Sequence, residues 1–121
     1  MIDDALVSID ESLRVNPDAL VHRPEALRVR GELRSAKGQA DLAAGDFHDS
    51  IALARTIGAK AWELRSTMSL ARLFQDRGHR DEAHRQLAEI YNWFTEGFDT
   101  IDLKEAKALL EELGSAGVRL A

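Results

Sequence analysis

The stretch SLARLFQDRGHRDEAHRQLAEIYNWF, Ser69 to Phe94, decides the fold. Before Gly78, the apolar residues Leu70, Leu73 and Phe74 recur at helical spacing; after it, Ala83, Leu87, Ile90, Tyr91 and Phe94 do the same. A glycine between two such segments supplies the left-handed residue that ends a helix. Asp81 and Glu82 suit the first turn of the next helix, where carboxylates oppose the positive end of the macrodipole. His79 and His84 invite a metal or acid–base reading. They are separated by about 500° of helical rotation, whereas ligands on one helix face sit three or four residues apart. His79 also falls in the turn. The stretch therefore reads as a helical hairpin, not as chemistry.

The same reading extends along the 121 residues. Ile2, Leu6, Ile9 and Leu13 form one stripe of a first helix, which Asn16-Pro17-Asp18 interrupts. Pro24 suits the first turn of a second helix running to about Lys37 and ended by Gly38. A third is expected from about Ala40 to Ile57, a fourth from about Lys60 to Arg77, and a fifth from about Asp81 to Thr95. A sixth follows Asp99-Thr100 and ends at Gly114, with Asp99 as its cap, Phe98 stapled onto Leu103 and a frayed tail beyond. No segment alternates with period two for long enough to be a strand.

Shifting the chain by forty residues lays Leu33 on Leu73, Gly38 on Gly78, Ala43 on Ala83, Phe47 on Leu87, Ile51 on Tyr91 and Gly31 on Ala71. Small falls on small and large on large. This is the signature of an internal helix–turn–helix repeat. Leu70, Ala71, Phe74, Gly78, Ala83 and Leu87 resemble the tetratricopeptide repeat, although the spacing exceeds its usual ~34 residues. The first copy departs from that pattern: Arg30 and Arg34 stand where apolar residues are expected, and Ser50 where alanine is. From Pro24 onward, elements such as WELR…SLARL and EGFDTIDLKEAKALLEEL resemble the C-terminal helical-repeat region of bacterial predicted ATPases of the MalT type, which often carry an adenylate/guanylate cyclase domain. The chain holds no G-x-x-x-x-G-K-[ST] loop, so the resemblance implies a repeat module without ATPase or cyclase activity. It implies an all-α, right-handed superhelix of about six antiparallel helices in a single domain. Residues 1–16 would be a half-repeat helix, 22–58 and 60–95 two hairpins, and 99–114 a capping helix.

Composition agrees with an all-helical globular chain. The apolar share is 45% and the charged share 31%, and two prolines leave room for long helices. A net charge of −5 argues against non-specific nucleic-acid binding. No apolar run approaches the ~20 residues that span a bilayer. With no cysteine and no basic, signal-like N-terminus, a cytoplasmic setting is expected. Asp3-Asp4 and Glu111-Glu112 are adjacent pairs whose side chains diverge on a helix. No nucleophile elbow accompanies the helical serines. The sequence thus points to neither an enzyme nor a cofactor site.

The expected function is protein–protein interaction. In tetratricopeptide stacks the first helix of each pair lines a concave groove. The corresponding positions here are Glu25, Arg28, Glu32 and Ser35, then Arg65, Met68, Arg72 and Gln75. Arg28, Arg65 and Arg72 would make a mildly basic groove for acidic peptide groups. Tyr91, Trp93, Phe94 and Phe98 are expected to fill the space between the last hairpin and the capping helix, with Trp93 the most exposed. The first helix aligns as the second half of a preceding pair. Its Ile2, Leu6, Ile9 and Leu13 stripe, with Val7 and Val15, therefore suggests either a homo-oligomer edge or a piece of a longer array.

Overall fold

The computed structural model describes residues 2–15 and 23–120. The Asn16-Pro17-Asp18 break and the Val15 side chain lie outside the described residues. Among the described residues six helices follow one another: α1 (Ile2–Val15), α2 (Arg23–Ala36), α3 (Ala40–Thr56), α4 (Lys60–Asp76), α5 (Arg80–Tyr91) and α6 (Ile101–Leu120). No strand occurs among the described residues.

Three of the connections share one design. Gly38, Gly58 and Gly78 adopt φ of 83°, 72° and 82°. After each, an amide reaches five residues back: Gln39 to Arg34 O at 2.9 Å, Ala59 to Ala54 O at 2.8 Å and His79 to Phe74 O at 2.7 Å. This Schellman closure satisfies the last carbonyls of one helix. The next residue's carbonyl opens the following helix at once, as when His79 O accepts from Ala83 N. Turns this short force consecutive helices to lie antiparallel and in contact.

Each helix packs on the next in the chain, and α4 also touches α2 and α6. Hence α2, α4 and α6 form one layer, with α1, α3 and α5 along its other side. One apolar core joins α3 to α4 through Ala43, Phe47, Ile51, Leu70 and Leu73. A larger one joins α4, α5 and α6 around Leu64, Met68, Leu87, Ile90, Leu103 and Leu109.

The first hairpin is held differently. Asp46 is buried and accepts from Arg30 Nη2 at 2.7 Å and Arg34 Nη1 at 3.0 Å; Arg30 Nη1 also reaches Asp10 at 2.8 Å. Ser50 donates to Pro24 O at 2.6 Å and, its one proton spent, accepts from Ser66 at 2.6 Å. The two arginines and the serine that depart from the repeat pattern are therefore matched polar partners. Gly31 is explained by Phe47: a Cβ there would lie 2.5 Å from the ring.

Several boundaries differ from expectation. α5 stops at Tyr91 rather than Thr95, because Trp93 N and Phe94 N bond only three residues back and tighten the chain into a turn. Thr100, not Asp99, caps α6: its Oγ1 accepts from Leu103 N at 3.4 Å. That one-residue shift takes Phe98 off the staple position, and it pairs with Tyr91 instead, ring centroids 5.8 Å apart. α6 does not end at Gly114, which keeps a negative φ. A glycine stops a helix only where the chain turns left-handed.

Candidate ligand-binding groove

The α2–α4–α6 layer carries a cleft of about 210 Å³ lined by Arg28, Arg65, Met68, Ser69, Arg72, Asp102 and Glu105. Four of these residues, Arg28, Arg65, Met68 and Arg72, are expected groove positions. Glu25, one turn before Arg28 on α2, binds it from one side, Nε to Oε1 at 2.7 Å and Nη2 to Oε2 at 3.0 Å. Arg65 Nε bonds Asp102 at 3.0 Å, and its Nη1 reaches Glu25 at 3.4 Å. Arg72 approaches Glu105 only to 3.8 Å. Arg65 also lies over the Trp62 ring, 5.5 Å from its centroid. Hydrogen bonding from Arg28 holds the Glu25 carboxyl below the usual carboxylate range, against the opposing pull of burial.

The other expected positions divide. Met68 is buried and forms the floor rather than a contact residue. Glu32 stands at the rim, 4.0 Å from Arg28. Gln75 and Ser35 are half-buried and do not line the cleft.

The expected basic character is corrected. α6 adds Asp102 and Glu105, so three arginines face four carboxylates, Glu25, Glu32, Asp102 and Glu105, and the groove carries no net positive charge. Asp102 and Glu105 lie on the expected capping helix, outside the two helices whose register defines the groove. One further step of forty residues from Arg65 lands on Glu105, so the repeat itself carried the signal. Arginine side chains 41% and 49% exposed, at Arg65 and Arg72, form surface ion pairs of about 0–1 kcal/mol. Such pairs exchange readily for a ligand's carboxylate.

The remaining sequence candidates are also placed. His79 precedes α5 with its ring edge-on to Phe74, and His84 is exposed on α5. Among the described residues no three His, Cys, Asp or Glu side chains gather as a metal site. Trp93 is 57% exposed and packs against Phe94, whereas Phe94 and Tyr91 border the larger core. Phe98, expected inside, is 45% exposed.

The expected oligomer edge is also corrected. Leu6 and Leu13 are buried, because α1 turns its stripe onto α2, while Ile2 and Ile9 are half-buried. Val7 is an exposed apolar residue of that helix. No helix among the described residues is long and apolar enough to cross a membrane. No family model, curated protein or solved structure matches the chain.

Proposed function

We propose that this chain is a non-catalytic protein-interaction module of tetratricopeptide type, related to the helical-repeat regions of bacterial signalling ATPases and cyclase regulators and working in the cytoplasm. Its ligand is an acidic segment of a partner protein, taken on the α2–α4–α6 face. One observation carries the reading: Arg65 and Arg72 share an open cleft with Arg28, and the carboxylates that pair with them there are exchangeable. A ligand carboxylate reaching Arg72 replaces Glu105, and a second one at Arg65 replaces Asp102. Arg28, bound twice by Glu25, orients the site rather than the ligand.

A peptide array probed with the full chain tests this. Acidic peptides should be captured, and Arg65→Glu and Arg72→Glu should each weaken capture. Glu105→Gln should strengthen it by removing the internal competitor. Capture unchanged by both charge reversals would remove the groove assignment.

A further inference from the structure

A second surface stands out at the far end of the helix stack. Tyr91 of α5, Phe98 of the connection and Lys104, Lys107, Ala108 and Glu111 of α6 surround a cleft of about 730 Å³. Its meaning comes from the repeat. Subtracting forty from the four α6 positions gives Leu64, Thr67, Met68 and Ala71 of α4, all buried. Leu64, Met68 and Ala71 share a core with Ala83, Leu87 and Ile90 of α5. The opposite side of α6 obeys the same register: Leu103, Ala106 and Leu113, buried toward α5, correspond to Glu63, Ser66 and Leu73, buried on α4. The α6 side of this cleft is therefore the position at which, one repeat earlier, the next helix sits.

Two residues of the cleft have counterparts in a second one, a repeat earlier. A smaller cleft of about 320 Å³ is lined by Ile51 and Thr67, and α5 closes it with Arg85, Gln86 and Glu89. Tyr91 and Lys107 are the forty-residue counterparts of Ile51 and Thr67. Among the described residues no helix plays the part of α5 here.

The side chains state what would fit. Lys104 and Lys107 make no ion pair among the described residues, in contrast to Lys37 and Lys60. They lie three apart, on one face of α6. Beside these lysines the cleft is lined by two aromatic rings, Tyr91 and Phe98, in contact at a tilt of 52°. We infer that this seat docks an amphipathic helix of a partner protein. Carboxylates one turn apart on that helix would meet Lys104 and Lys107, and an apolar residue would rest over Ala108 against Tyr91 and Phe98. The added helix would continue the stack.

The chain lacks cysteine, so Ala108→Cys can carry a single environment-sensitive fluorophore. The probe is a synthetic Leu/Ala helix with glutamates one turn apart, compared with the same helix carrying glutamine. The acidic helix should give a saturable blue shift. Lys104→Glu with Lys107→Glu should weaken it at least about tenfold, whereas Arg14→Glu with Arg77→Glu, two exposed reversals that do not touch α6, should leave it unchanged. Amide shifts of the unlabelled wild-type chain should move at Tyr91, Phe98 and the first half of α6. Equal binding of both peptides, no saturation, or indifference to the lysine reversals overturns the inference. So does a blue shift that grows with chain concentration alone, which would make the occupant a second copy.

Discussion

Gly31 shows how one residue sets the spacing of two helices. A Cβ there would approach Phe47 Cε1 to 2.5 Å, and the ring is buried with little room to move. The second hairpin solves the same problem with Ala71 and Leu87, trading a larger small residue for a smaller large one. Gly31→Ala should therefore destabilise the chain by about 1 kcal/mol, overpacking of ~1–3 kcal/mol outweighing the helix-propensity gain. In a Phe47→Leu background the same change should stabilise it, and a denaturant double-mutant cycle reads the reversal. Glu25 makes a residue-scale prediction in pH. Its folded carboxyl titrates below the unfolded value, so its contribution is complete above about pH 4.3 and is lost as pH falls through the depressed folded value. The melting-temperature gap between wild type and Glu25→Gln should be present at neutral pH and close in acid.

Elements are joined by two kinds of contact. α4, α5 and α6 are joined by an apolar core, whereas α2 and α3 meet across Asp46, Arg30 and Arg34. Forty residues on, the positions of Arg30, Arg34, Asp46 and Ser50 are held by Leu70, Phe74, Gln86 and Ile90. The polar set is a coordinated replacement, so its members should not tolerate exchange one at a time. Asp46→Ala leaves two half-buried guanidiniums without their shared acceptor and should cost roughly 2–3 kcal/mol, below the full value for a buried pair because both arginines still reach water. Arg30→Leu, Arg34→Phe and Asp46→Gln together should recover much of that loss. Urea unfolding of the single and triple variants decides it.

At the scale of the whole molecule, stability should run unevenly along the stack. α4 packs on four helices, α3 and α5 on two each, and α1 on α2 alone. α1 is tied by two buried leucines, by Asp3 to Lys37 and Asp10 to Arg30, and by Arg23 donating to Leu13 O at 2.9 Å. These ties run antiparallel along α2 and set its register, but both acidic partners are exposed. Native-state hydrogen exchange should therefore find α1 amides opening with the lowest free energy of the first five helices, and the middle of α4 with the highest. Protection of α1 equal to that of α4 would contradict this picture of the packing.

Much of this was written in the chain itself. Period and punctuation alone fixed the helices found among the described residues and the ends of the first four to within a residue or so, because apolar spacing and Gly38, Gly58 and Gly78 act locally. Local signals were least reliable where the chain lacks a tight turn. Between Tyr91 and Ile101 the cap moved from Asp99 to Thr100 and the staple residue Phe98 turned outward. Charge at the groove was legible only for the two helices counted as groove-lining. Register alone locates Arg28, Arg65 and Arg72, but Asp102 and Glu105, the partners of Arg65 and Arg72, come from α6, up to 37 residues further along the chain. The meaning of Arg30 and Arg34 likewise waited for Asp46. Periodicity tells which face of a helix turns inward, since that depends on neighbours three and four residues away. It does not tell which buried carboxylate a guanidinium meets across a helix interface, and that pairing decided both how the first hairpin holds together and what charge the groove presents.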